Sequence, residues 1–109
     1  MSDLPAPYRH IREEFPEVAA AYDALGDAIH EAGPLDTKTR QLIKLAMSVG
    51  GRLEGAVRAH TRRALDMGIA PEEINHVIVL AITTCGFPTT VSAYSWAWDE
   101  MEKYNIGHA

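Results

Sequence analysis

Cysteine is almost missing from this chain: Cys85 stands alone among 109 residues. A single thiol excludes an intramolecular disulfide, so nothing in the fold depends on an oxidising compartment. Long apolar runs are missing too. The longest, Val77 to Ile82, falls far below the roughly 18 residues that a membrane-spanning helix needs. Met1 to Tyr8 has no apolar core segment, so no signal peptide is expected, and the expected location is cytoplasmic. Basic residues are scarce, with 10 Lys and Arg against 15 Asp and Glu and a net charge of -5. Neutralising phosphates takes clustered positive charge, so neither nucleic acid nor membrane is an expected partner. There is no phosphate-cradling glycine loop, no dinucleotide fingerprint and no serine or cysteine nucleophile motif.

What is present is an ordinary globular composition, 47% apolar and 23% charged, in a length suited to one domain. Pro5, Pro7 and Pro16 make residues 1–15 an arm with at most a turn or two of helix, and residues 16–109 the domain. Pro16 suits a first helical turn, and Val18, Ala21, Tyr22, Leu25 and Ile29 follow at helical spacing until Gly33-Pro34. Asp36 is a good N-cap for a helix to about Val49, which Gly50-Gly51 breaks. A third helix runs from about Leu53 to Met67 and closes at Gly68; Pro71 opens a fourth, through about Thr84. That fourth helix is apolar nearly all round, so it is either central or partly buried between subunits. Past Gly86 and Pro88 a fifth helix carries Val91, Tyr94, Ser95, Trp98 and Met101 on one face. No strand pattern appears. The expectation is an all-α, compact bundle of about five to six helices that is not a monomer.

Several residues in this order match a family pattern: Leu35-Asp36-x-Lys38-x-Arg40-x-Leu42-Ile43, His60-x-x-x-Ala64-x-x-x-Gly68, Glu72-Glu73-Ile74 and Gly86-x-Pro88. The chain resembles the carboxymuconolactone decarboxylase-like proteins, which include the alkylhydroperoxidase D-type peroxidases. The resemblance covers roughly residues 16 to 104 and implies the alkylhydroperoxidase D-like fold, with a homohexamer built as a trimer of dimers. In the peroxidase branch, the positions of Leu53 and Ala56 hold the two cysteines of a redox pair. The position of His60 holds the histidine that helps activate them, and a glutamate occupies the position of Gln41. Peroxide reduction needs a thiolate to attack and a second thiol to resolve, so replacement by Leu53 and Ala56 argues against that activity. Cys85 ends an apolar helix, where the dipole disfavours a thiolate, and reads as a small buried hydrophobe.

The decarboxylase branch also lacks the thiols and keeps the histidine. By resemblance, the expected activity is that of a cofactor-free lyase acting on a small organic acid or lactone, with His60 as acid/base. Glu54 is its candidate helper, although six residues place it roughly 120° from His60 around a regular helix. Glu54 also stands at ion-pair spacing to Arg58. Gln41, Leu53 and Ala56 would line the pocket, and Arg52 or Arg58 would hold a substrate carboxylate. Glu72 and His76 share a helix face but lack a third metal ligand at suitable spacing. The rival expectation is a non-catalytic oligomeric scaffold or binding protein, in which His60 is a satisfied core residue.

Overall fold

The computed structural model describes residues 4–108. Among them are six helices of nine residues or more and one four-residue helical turn. In order they are α1 (Ala6–Glu14), α2 (Pro16–His30), α3 (Thr37–Gly50), α4 (Glu54–Asp66), α5 (Pro71–Val79), the short α6 (Ile82–Cys85) and α7 (Phe87–His108). No strand occurs among the described residues. The chain divides into two compact units, Met1–Pro34 and Leu35–Ala109.

The first unit is a helical hairpin. The segment before Pro16 is more helical than its prolines suggest: Pro5 caps α1 and Pro7 falls in its first turn, where the missing N–H costs nothing. Arg12 ties α1 to α2 through an ion pair with Asp23, and its guanidinium lies over the Tyr8 ring at 5.6 Å. No residue of either helix is buried.

The second unit holds the core, in which Leu45 and Val49 of α3 meet Val57, Ala64 and Leu65 of α4, Ile74 and Ile78 of α5, and Ala93 and Ala97 of α7. Burying each of the larger side chains contributes roughly 1.5–3 kcal/mol. Helix starts follow their local chemistry. Asp36 accepts a 2.8 Å hydrogen bond from the Thr39 amide, and the Ala70 amide donates to the Glu73 carboxylate at 3.2 Å. Gly68 ends α4 with a positive φ of 82°, the conformation for which glycine is favoured.

One expectation needs correction. The fourth helix does not run through to Thr84. It stops at Val79, where the Ala81 amide turns back to the Ile78 carbonyl at 3.0 Å, and the chain restarts as α6. The β-branched runs Val77-Ile78-Val79 and Ile82-Thr83-Thr84 weaken the helix on both sides of this break. The last helix buries the face next to the one that carries its bulky side chains, and Tyr94 and Met101 of that bulky face still pack against the core. Its buried positions are Thr90, Ala93, Ala97 and Glu100, while Val91 and Trp98 are about half exposed. Small alanines let α7 approach α4 closely, and Glu100 tolerates burial because Arg58 and Arg62 of α4 meet it at 2.8 and 2.9 Å. The bulky face instead pairs Tyr94 edge-on to Trp98 at 5.9 Å.

Candidate functional site

His60 sits half-buried in α4, one turn beyond Ala56. Its side chain has one hydrogen-bond partner among the described residues: Gln41, on α3. The Gln41 Nε2 donates to the His60 backbone carbonyl at 3.0 Å and lies 3.1 Å from His60 Nδ1. A carbonyl can only accept, so this contact fixes which end of the amide faces His60. The second hydrogen of the same nitrogen then points to Nδ1, which must be the unprotonated atom. The ring is therefore neutral and carries its proton on Nε2. Burial lowers the imidazole pKa to about 4, with the positive charges of Arg63 and Lys44 adding to the effect. A donor held against Nδ1 works in the same direction, because an imidazolium would present a second donor to it.

Glu54 lies outside this pair. Its carboxylate accepts from Arg58 Nε at 3.0 Å, the i,i+4 ion pair that its spacing allowed, and it is not hydrogen-bonded to His60. Arg58 is committed as well, since it also reaches Asp99 at 2.6 Å and the buried Glu100 at 2.8 Å. Burial opposes the charge on Arg58, but these carboxylates outweigh it and hold the guanidinium above its usual range. Glu100 is likewise held below the usual carboxylate range: burial pushes it up, and the hydrogen bonds from Arg62 and Arg58 outweigh that. Sequence reasoning missed Glu100. The available signal was a carboxylate in register with two alanines on α7, facing two arginines a turn apart on α4.

Leu53 caps α4 and is 55% exposed, and Ala56 is half-buried. Three cavities stand out, and no wall of the three includes His60, Gln41, Leu53 or Ala56. An apolar one of about 370 Å³ lies between α3 and the α5–α6 segment, with Cys85 in its wall. The smaller two lie along α7: one is formed with Arg52, the other with Leu65, Pro71 and Asn75.

A family model, the Carboxymuconolactone decarboxylase family, matches residues 16–99. The chain belongs to that family. A carboxymuconolactone decarboxylase family protein from Legionella pneumophila, apo-lpg0406, has a similar solved structure, with a TM-score of 0.76 at 26% identity. The match covers 90% of this chain and 87% of that one. An uncharacterized protein of Haemophilus influenzae is 38% identical over 63 residues, 58% of this chain and 56% of its own length. This chain thus spans little more than half of that relative. An uncharacterized protein of Methanocaldococcus jannaschii is 28% identical over 94 residues, 85% of this chain and 86% of that protein. Within the carboxymuconolactone decarboxylase family, this member pairs its α4 histidine with Gln41 and carries neither thiol of a redox pair.

Proposed function

We propose that this carboxymuconolactone decarboxylase family member is a cofactor-free lyase for a small unsaturated lactone acid, with His60 as its polar reacting group. The observation that carries this is the Gln41 clamp, which supports a neutral ring with a free Nε2–H. That narrows the acid/base role. A ring with a pKa of about 4 is not a resting imidazolium acid at neutral pH, but it is a good hydrogen-bond donor. When a carboxylate leaves as carbon dioxide, its bonding pair moves into the conjugated system and onto the lactone carbonyl oxygen. A neutral imidazole N–H directed at that oxygen stabilises the developing charge without giving up its proton, and solvent then protonates the carbon. Glu54, held by Arg58, takes no part; Gln41 replaces it as the orienting partner.

Self-association belongs to the same proposal. The family resemblance implies a hexamer, and the apolar stripe of α2, each of whose large side chains is more than half exposed, supports assembly with further copies.

One observation favours the rival scaffold reading: His60 is absent from the walls of the three cavities above. The test is carbon dioxide release from a panel of unsaturated lactone acids by the native chain and by His60→Gln. A native rate that falls about 100-fold or more in the variant supports the lyase. No release from any member of the panel by the native chain would leave the scaffold.

A further inference from the structure

Between the α3–α4 turn and the start of α7 lies an open cavity of about 250 Å³, lined by Arg52, Pro88, Thr89, Ser92 and Trp96. We infer that this cavity is a binding site for the carboxylate of a small planar acid, with Arg52 as its cationic anchor. The inference does not rest on the lyase reading, since such a site binds acids whether or not they turn over.

The backbone provides the first argument. Arg52 ends α3 in a Schellman turn: its amide bonds to the Val49 carbonyl at 3.1 Å, and the Leu53 amide to the Ser48 carbonyl at 3.0 Å. The residue at this point takes a left-handed conformation, here φ 58°, and glycine is strongly favoured there. Two glycines directly precede it, yet the left-handed position itself carries an arginine. Gly51 is needed for a different reason: a Cβ there would meet the Met47 carbonyl oxygen at 3.2 Å and the Leu53 side chain at 3.3 Å. A side chain kept where glycine is easier is a pointer to function.

Charge and chemistry give the second argument. Arg58 and Arg62 are engaged by carboxylates, whereas the Arg52 guanidinium has no hydrogen bond or ion pair among the described residues. The hydroxyls of Thr89 and Ser92 and the indole N–H of Trp96 have none either. The wall thus gathers a guanidinium and three further donors, with no acidic residue among them. A guanidinium fork matches a carboxylate, and the Trp96 and Pro88 surfaces suit the flat apolar body attached to it. At about 30 Å³ per water, the space equals roughly eight waters, which suits a benzoate-sized acid.

The experiment is an NMR titration of the full chain with benzoate and with benzamide, its uncharged isostere. The signals followed are the Arg52 Nε–H and the Trp96 indole N–H, the latter assigned with Trp98→Phe. Benzoate is expected to shift both saturably and to bind about tenfold or more tightly than benzamide. Arg52→Gly, which relieves the left-handed strain and so keeps the fold, is expected to weaken benzoate binding about tenfold or more, and Arg52→Lys to restore part of it. Equal responses to the two ligands, benzoate binding unchanged in Arg52→Gly, or signals that move only with protein concentration would each overturn the inference. The last of these outcomes would instead make the cavity a contact between copies.

Discussion

One nitrogen of Gln41 holds both ends of His60, its ring at 3.1 Å and its backbone carbonyl at 3.0 Å. The bond to the carbonyl fixes the amide, and the amide fixes the tautomer. A charged partner at the same position should reverse the ring's preference. In Gln41→Glu a carboxylate replaces the donor, so Nδ1 is expected to carry the proton and the imidazolium to be favoured. His60 should then titrate roughly 1–3 pH units higher than in the native chain. A ¹⁵N titration of the imidazole nitrogens measures both the tautomer and the pKa. An unchanged midpoint in Gln41→Glu would refute the clamp.

The low pKa of His60 also has a consequence for stability. The folded value is about 4 and the ordinary value 6.5, so between these pH values the unfolded chain holds the extra proton. The contribution is complete above pH 6.5, declines as the pH falls, and is gone near pH 4. For a half-buried ring partly screened by solvent it should amount to about 1–2 kcal/mol. Asp99 and Glu100, whose pKa values are lowered, contribute stability that is lost only at more acid pH, as the folded carboxylates protonate. Urea unfolding at pH 7 and pH 5 should show the native chain losing more stability than His60→Gln, and equal losses would contradict the assignment.

The sequence showed helices 3 and 4 clearly because their signals are local. An aspartate caps one, a glycine pair separates them, and a left-handed glycine closes the second. On α7 it marked the face that carries Tyr94 and Trp98 but did not show that the neighbouring face, with Ala93, Ala97 and Glu100, is the one buried. The decision there was made at a distance, by two arginines on α4 that make Glu100 the residue to bury. The break between α5 and α6 was hidden for a similar reason, since Val77 to Ile82 is apolar whether or not the helix is continuous. At the candidate site, the family pattern pointed to Gln41 and His60, which the fold brings together. Glu54 was a choice by proximity in sequence, and its carboxylate goes to Arg58.

Glu100 gives the sharpest stability prediction. It is 3% exposed and lies between Arg58 and Arg62, so removing it leaves two partly buried cations facing each other. Glu100→Ala should cost about 3–5 kcal/mol in urea unfolding. Asp99, which contacts the same Arg58 from a half-exposed position where solvent screens the pair, should cost much less on the same change. Equal costs would show that burial does not set the worth of these pairs.

Val18, Tyr22, Leu25 and Ile29 make one stripe along α2, and each is more than half exposed. Ile11 and Phe15 are similarly exposed at 56% and 57%. Six large apolar side chains bared on one hairpin are a strong drive to association. The hairpin segment, residues 1–34, has two arginines against seven acids, which accounts for the whole net charge of -5; residues 35–109 are balanced. Two hairpins packed on each other would bring like charges together, so a neutral surface of a further copy is the better partner. The native chain is therefore expected to sediment as an oligomer, and added salt should not dissociate it, because apolar burial holds it together. Leu25→Glu should shift the population to smaller species while circular dichroism shows the helices intact. A native chain that sediments as a monomer at tens of micromolar would mean that the stripe serves some other partner.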